Sequence, residues 1–342
     1  MKSISKALAL LVLGASPALA EPVQIVVQAQ VETTGSRGDT DDPAIWVNPA
    51  DPAASLILGS DKTQGLFVYD LSGAERALFA DGQLNNVDLR PFTLDGKPVT
   101  LVGASKRDDD SLAFYVIDGG VVRHAEPFAF PAIPADIADV KSIYGFAMAQ
   151  DASGTYAVVN FKSGHVLQYL VTETSGQLQL SLVRHWQVAS QPEGMTADDR
   201  LGHIYVGEED AGIWRYAMSP AASIEAFAVD LIPSDCLPRD DVEGLAIYDG
   251  TDARYLIASA QGIHRAAVYR LNGQAKPTCA ALVEIAAGAI DGVTETDGLA
   301  VTASPLGPAF PQGALVMMDD QNAGYTINFK VMDWAKIAAH LP

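Results

Sequence analysis

Cysteine is almost absent: the 342 residues contain only Cys236 and Cys279. Two thiols cannot complete a zinc site on their own. In an oxidising compartment they amount to one possible disulfide, with two small buried thiols as the alternative. Positive charge is also scarce, 22 Lys and Arg against 42 Asp and Glu, a formal net charge of −20. A field of that sign repels nucleic acid and anionic membrane surfaces. It does not repel a cation, or a polyanion that arrives with cations. Beyond the first twenty residues no apolar run reaches a spanning length, so no membrane span is predicted. There is no H-E-x-x-H, no P-loop, no G-x-G-x-x-G and no G-x-S-x-G, and the six histidines show no paired ligand spacing.

The first twenty residues read as a processing segment. Lys2 and Lys6 form a basic start, "ALALLVLGA" is an apolar run too short to cross a bilayer, and Ala18 and Ala20 place a small-x-small cleavage pattern ending at Ala20. An exported protein, periplasmic or extracellular, is expected. Loss of those two lysines takes the formal charge from −20 to −22. Residues 21–342 are expected to form one domain, and a monomer.

What the chain has in abundance is strand. Short β-branched and aromatic runs such as "SLILGS", "GLFVYDL", "LAFYVI", "TYAVVN", "HIYVGEE" and "RYLIASA" recur between Gly, Asp, Asn and Pro. Only "MDWAKIAAHL" has helical spacing. Six units share one plan: a polar residue, a short strand, a turn, a β-rich strand, a polar knot, and a strand with an aromatic near its end. They begin at Asp42, Asn86, Tyr144, Glu193, Glu243 and Asp297, and the starts lie 44, 58, 49, 50 and 54 residues apart. A period of roughly 40–50 residues with four strands per unit marks propeller blades. The predicted fold is therefore all-β, a six-bladed β-propeller. "VQIVVQAQV", residues 23–31, is expected to supply the strand that closes the ring on the last blade.

In such a ring the innermost strands surround the axis, so the six unit starts share one rim. The knots fall at the same end and hold Lys62, Arg107, Lys162, Glu209, Gln261 and Asp319. Cations thus come from the first three units. Carboxylates come mainly from the last three and from "GDTDD", residues 38–42. A lone Asp in such a turn is ordinarily a turn cap; segregation of charge on one rim points instead to a site for an anion bridged by metal ions. The donors are nearly all oxygens, which favours Ca²⁺ over zinc or copper. "GDTDDP" is not an EF-hand loop.

The chain resembles the β-propeller phytases, the calcium-dependent alkaline class of 3-phytase type. The matching segments are "GDTDDPAIWVNP", "DKTQGLFVYDL", "LNNVDLR", "YGFAMA", "SQPEGMTADD", "IYVGEEDAGIW", "DVEGLAIY", "DGVTETDGLAV" and "INFKVMDWAKIA". They occur in family order over essentially the whole of 21–342. The resemblance implies a propeller that binds several Ca²⁺ ions and cleaves a phosphate monoester of phytate by direct attack of water, with no phosphoenzyme. It implies two neighbouring phosphate positions, one for cleavage and one for a second phosphate of the same inositol. By the resemblance Lys62, Arg107 and Lys162 hold phosphate oxygens. Tyr144, Glu193, Glu209, Asp241, Glu243, Gln261, Asp291 and Asp297 hold calcium and water. Asp39, Asp41, Asp42, Asn86 and the carbonyls of Pro43 and Val87 belong to calcium positions on the first two blades, and Asp319 and Asn322 to a structural calcium site.

Three departures from the family pattern bear on substrate affinity and breadth. Lys62 is followed by Thr63 rather than a second lysine, Arg107 is followed by the acidic run "DDD", and "GIHRAAVY" after Gln261 introduces Arg265. The competing classes are another propeller hydrolase, a lactonase or sugar-phosphate esterase, and a non-catalytic calcium-binding propeller. A lactonase-type site does not call for Lys62, Arg107 and Lys162 together, and a non-catalytic ring predicts degraded metal positions.

Overall fold

The computed structural model describes residues 21–342 apart from 37, 126, 127, 136, 138 and 323–325. The expected processing segment, 1–20, lies outside the described residues. Twenty-five strands build six sheets, one per blade. The innermost strands are Thr40–Trp46, Leu84–Leu94, Ile143–Asp151, Pro192–Asp198, Val242–Asp249 and Leu299–Thr302. In the first five blades each continues outward through three antiparallel neighbours in chain order. The six apolar clusters all lie between consecutive blades. Leu58, Leu66, Val102 and Tyr115 fill the space between blades one and two, and Ile57, Tyr69, Val316 and Phe329 that between blades six and one. Each blade therefore buries both faces, which is why its strands read as continuous apolar runs rather than as alternations.

Ring closure differs from expectation in one respect. Val23–Val27 does not join the last blade. It runs parallel to Thr278–Ile285 as a fifth strand of blade five. Val31–Glu32 makes the closure, antiparallel to Asn328–Asp333 in blade six, and Ser36 bridges Ile327 beyond it. The cause is apolar: Ile25 and Val27 drop into the cluster between blades five and six, beside Met332 and Trp334. One N-terminal run is thus divided over two blades. The expected helix is short, Trp334–Ala338, and Asp333 caps it by accepting from the Ala335 N–H at 3.0 Å. Cys236 and Cys279 are disulfide-bonded, tying the linker between blades four and five to an outer strand of blade five.

The feature that shapes the rim is a repeated β-bulge. Pairing between the first two strands skips two residues in each of blades one to five: Asp41–Asp42, Asn85–Asn86, Tyr144–Gly145, Glu193–Gly194 and Glu243–Gly244. Asp297–Gly298 stands at the same place before the sixth inner strand. A bulge re-aims its side chains away from the ladder, here toward the axis. The second member must be small where the next blade's backbone passes close by. A Cβ on Gly194 would stand 1.5 Å from the Glu243 carbonyl oxygen, and one on Gly145 1.9 Å from that of Glu193. Gly194→Ala is therefore expected to cost at least ~3 kcal/mol, the upper end for overpacking. Gly96→Ala meets nothing within 4 Å and pays only for a positive φ, about 1–2 kcal/mol. Urea unfolding of both variants checks this; equal losses would remove the packing argument.

Candidate functional site

Six hydrogen bonds of one kind define the rim. The amide of each knot donates to a carbonyl of the segment entering an inner strand, the residue directly before it in blades one to five: Lys62 to Asp39, Arg107 to Gln83, Lys162 to Ser142, Glu209 to Gln191, Gln261 to Asp241, and in blade six Asp320 to Thr294. The sixth knot residue is thus Asp320 and not Asp319. In the first two blades, likewise, the residues equivalent to Tyr144, Glu193, Glu243 and Asp297 are Asp41 and Asn85, not Asp42 and Asn86. A shift of one residue in a strand turns a side chain to the other face. Asp42, Pro43, Asn86 and Val87 accordingly line a central channel of about 190 Å³ beneath the ring. The Asp42 side chain there accepts from the Val87 amide at 3.0 Å. The glycines at the second bulge position are the sequence signal that sets this register.

Around the ring, cations and carboxylates meet. Lys62 Nζ lies 2.8 Å from Asp297, 3.1 Å from Asp41 and 3.4 Å from Asp39. Gln261 Nε2 donates to Asp297 Oδ1 at 2.6 Å and to Glu243 Oε2 at 3.0 Å. Gln191 donates to Glu209 Oε1 at 2.6 Å. Across the axis, buried Asn85 donates to Glu193 Oε1 at 2.7 Å while its side-chain Oδ1 accepts from Arg107 at 3.2 Å. One amide so positions both a guanidinium and a carboxylate. The sequence alone does not single it out, because Asn86 beside it carries the same side chain. Lys162 Nζ stands 4.0 Å over the Tyr144 ring and Arg107 5.7 Å from it, close enough for cation–π attraction.

The electrostatics are strained in one direction. Burial, then the charge of Asp297, pushes the Glu193 carboxyl up to about 7. Burial and the neighbouring Glu193 and Asp297 push Glu243 well above the carboxylate range. Asp41 and Asp42 are raised, both chiefly by burial. Glu209, Asp241 and Asp320 are raised as well, again with burial as the main cause. Burial opposes the charge on Lys62, but Asp41, Asp297 and Asp39 outweigh it and hold its ammonium above the ordinary lysine range. Burial and then Glu193 and Glu243 raise the Tyr144 phenol above the ordinary tyrosine range.

Two oxygens bear on what the rim can hold. Asp41 Oδ2 and Glu193 Oε2 are buried with no hydrogen-bond partner, a costly condition unless a ligand meets them. Among the described residues no three His, Cys, Asp or Glu side chains are already gathered in metal-ligating geometry; the Lys62 ammonium and Gln261 amide stand between the acids instead. An all-oxygen donor set with orphaned, mutually repelling carboxylates fits hard divalent cations. Backbone strain collects here too. Of the non-glycine residues with positive φ, Asp110, Ser142, Asp241, His264 and Glu295 lie in rim loops, and such strain concentrates at ligand sites.

The remaining expected residues lie elsewhere. Asp291, Asp319 and Asn322 converge at the closing seam around Lys330. The "DDD" run caps loops: Asp108 accepts from the Gln83 amide at 2.6 Å, Asp110 from that of Ile143 at 2.8 Å, and Asp109 faces Lys106 at 3.4 Å. Thr63 binds Asp61 within its own knot, and Arg265 pairs with Glu284 at 2.7 Å.

Comparison with known proteins agrees with this geometry. The sequence profile of the Phytase family matches residues 3–342. A 3-phytase of Bacillus subtilis (strain 168) is 35% identical over 331 residues, covering 93% of this chain and 85% of that protein. The beta-propeller domain of Cps50 (Swd1) from Myceliophteria thermophila aligns with a TM-score of 0.49 at 11% identity, over 85% of this chain and 82% of that one; the six sheets themselves, not this likeness, establish the fold. A profile that spans nearly the whole chain, together with a relative matched over most of its length, shows that the chain belongs to the Phytase family.

Proposed function

We propose that the rim hydrolyses phosphate monoesters of phytate, myo-inositol hexakisphosphate, with water as the attacking group and several Ca²⁺ ions held by its carboxylates. The observation that carries this reading is the make-up of the rim: Lys62, Arg107 and Lys162 are set among buried carboxylates, two of which, Asp41 and Glu193, keep an oxygen unsatisfied. Family membership and the 3-phytase relative support it.

Each group has a distinct part. Asp39, Asp41, Glu193, Glu209, Asp241, Glu243 and Asp297, with the Gln261 amide oxygen, would hold the calcium. Bound there, calcium would polarise phosphoryl oxygens and lower the pKa of water. The Arg107 fork takes two phosphate oxygens side by side, and Lys62 and Lys162 act as compact charges. Glu193, fixed through Oε1 by Asn85, presents Oε2 to orient the water and accept its proton. As the water oxygen bonds to phosphorus, the ester P–O bond breaks and the departing inositol oxygen takes a proton, leaving inorganic phosphate. Charge neutralisation and alignment suffice for this chemistry; no covalent nucleophile is required.

The oxygen-binding rim spans several blades, which suits a substrate with neighbouring phosphates. Purified protein is expected to release phosphate from calcium phytate faster than from an inositol monophosphate at matched calcium. Equal rates would remove the second phosphate position, and no release from either would remove the phytase reading. Export is proposed from the character of residues 1–20 and is supported by the disulfide. No helix among the described residues is long and apolar enough to cross a membrane. A monomer is proposed.

A further inference from the structure

We propose that the Cys236–Cys279 bridge positions blade five's share of the rim, and so sets how tightly the rim holds its cations. The inference rests on the calcium reading of the rim given above. Neither cysteine belongs to the repeated rim positions. The 43 residues that separate them in sequence make up most of blade five: the strands Val242–Asp249, Arg254–Ala260 and Arg265–Arg270, with the knot between the last two. That closed loop carries Asp241, Glu243 and Gln261. Its far end, the strand Thr278–Ile285, holds Cys279 and is itself paired to Val23–Val27.

The bridge acts through the linker, residues 232–241, which leaves the outer strand of blade four and ends on the rim at Asp241. Asp241 has a φ of 80°, and a non-glycine residue keeps a positive φ only where its surroundings impose it. On the downstream side its amide donates to the Glu209 carbonyl at 3.0 Å, and its own carbonyl accepts from the Gln261 amide at 3.0 Å. On the upstream side Cys236 and Leu237 are fully buried in one apolar cluster, while residues 238–240 are exposed. The covalently fixed Cys236 therefore sets the approach to Asp241. The linker also presses on the knot of blade five. A Cβ on Gly262 would stand 2.7 Å from the Asp240 carbonyl oxygen and 3.2 Å from the Arg239 Cβ. Beside that glycine, the Gln261 side chain meets Asp297 and Glu243. A displaced linker thus reaches Asp241 directly, and Glu243 and Asp297 through Gln261. Small shifts matter there, because calcium takes its oxygens within about 2.3–2.6 Å. Weaker ties remain when the bridge is gone: Ser234 Oγ and Tyr269 Oη both donate to Asp230 Oδ2, at 2.7 and 2.8 Å. The linker should loosen rather than leave.

The test compares the oxidised parent protein with the double variant Cys236→Ala/Cys279→Ala, which removes the bridge without leaving a free thiol. Calcium affinity is read by titration calorimetry, and the calcium needed for half-maximal phosphate release from phytate is read beside it. Without the bridge Asp241 can relax, and calcium must restore its strained backbone on binding. Both midpoints are therefore expected to rise roughly 5–10-fold, the cost of one such residue. At saturating calcium kcat should stay within about two-fold of the parent, since bound calcium restores the same site. The melting temperature should fall by roughly 5 °C, as for a loop of that length. A bridge that only stabilises lowers the melting temperature and leaves both calcium midpoints in place, and that result overturns the proposal. If the double variant does not fold, the parent protein is titrated in dithiothreitol. A cavity of about 410 Å³ lined by both cysteines admits such a small dithiol. The dithiol gives two electrons and two protons to the S–S bond and leaves as a cyclic disulfide, and two free thiols per chain mark completion. Unchanged midpoints in that reduced protein overturn the proposal equally. A parent protein that neither binds calcium nor releases phosphate defeats the rim reading and this proposal together. A parent that does both, with midpoints indifferent to the bridge, defeats this proposal alone.

Discussion

With its calcium chelated, the protein is expected to release no phosphate from phytate and to melt at least ~10 °C lower at pH 8, with a smaller deficit at pH 5. The reason lies in the buried acids of the rim and channel. Asp41, Asp42, Glu193 and Glu243 all have pKa values raised in the folded chain, by burial first and then by neighbouring carboxylates, Asp297 among them for Asp41, Glu193 and Glu243. The folded state therefore keeps protons that the unfolded state has released. Stability from these groups is fully present below the ordinary carboxylate range, about pH 4. It declines as pH rises through the folded-state values, about 7 for Glu193. A shift of that size corresponds to a few kcal/mol for the one group. Paired surface carboxylates give the opposite slope. Calcium binds the folded arrangement in preference to the open chain, so it should cancel the decline by linkage. Magnesium should restore little, because it demands a smaller octahedral site and gives up water reluctantly. Thermal unfolding and phosphate release on one preparation, chelated and then refilled, measure both effects. Full activity in excess chelator, with an unchanged melting temperature at pH 8, is the result that would sink this account.

Glu193→Gln and Arg107→Ala are each expected to lower kcat for phytate by at least ~10²-fold, the effect of deleting one preorganised electrostatic group. The amide introduced by Glu193→Gln keeps the volume of the side chain and can still meet Asn85, but it gives up the charge on Oε2 that faces the proposed water. Arg107→Ala removes the one planar fork among the three rim cations, and it also frees the Asn85 side-chain Oδ1 that the guanidinium holds at 3.2 Å. The two residues are joined through that amide, so their effects should be less than additive in the double variant. Circular dichroism and the melting temperature establish that each variant is folded. Near-normal turnover in a folded Glu193→Gln would mean that the proton acceptor lies elsewhere on the ring, with Glu243 the next to test.

Much of the fold was legible because blades repeat. Runs such as "HIYVGEE" and "RYLIASA" became second strands, His203–Glu208 and Arg254–Ala260, and the knots after them met at one rim. The charged residues of that rim were legible for the same reason: Lys62, Arg107, Lys162, Glu209 and Gln261 occupy one repeated position. Register within the inner strands was harder to read. Asp41–Asp42 and Asn85–Asn86 offer two polar neighbours each, with no glycine to say which is the second. Only strand pairing showed that Asp41 and Asn85 belong to the ring and that Asp42 and Asn86 belong to the channel below. At the sixth knot, Asp319 and Asp320 posed the same ambiguity.

The sequence by itself determined the fold class, the number of blades and the chemical character of one rim, because strand period, turn residues and charge are local properties that survive without any contact. The tertiary structure decided what depends on elements meeting from far apart in the chain. Val23–Val27 went to blade five because an apolar cluster lay open there, and Val31–Glu32 was left to close the ring. Asn85 came between Arg107 and Glu193, 108 residues away from the latter. Lys330, which looks in the sequence like one more strand residue, met Glu32 across 298 residues and became the charge at the centre of the seam. A buried cation is recognised by the oxygens around it, and those are assembled only when the ring closes.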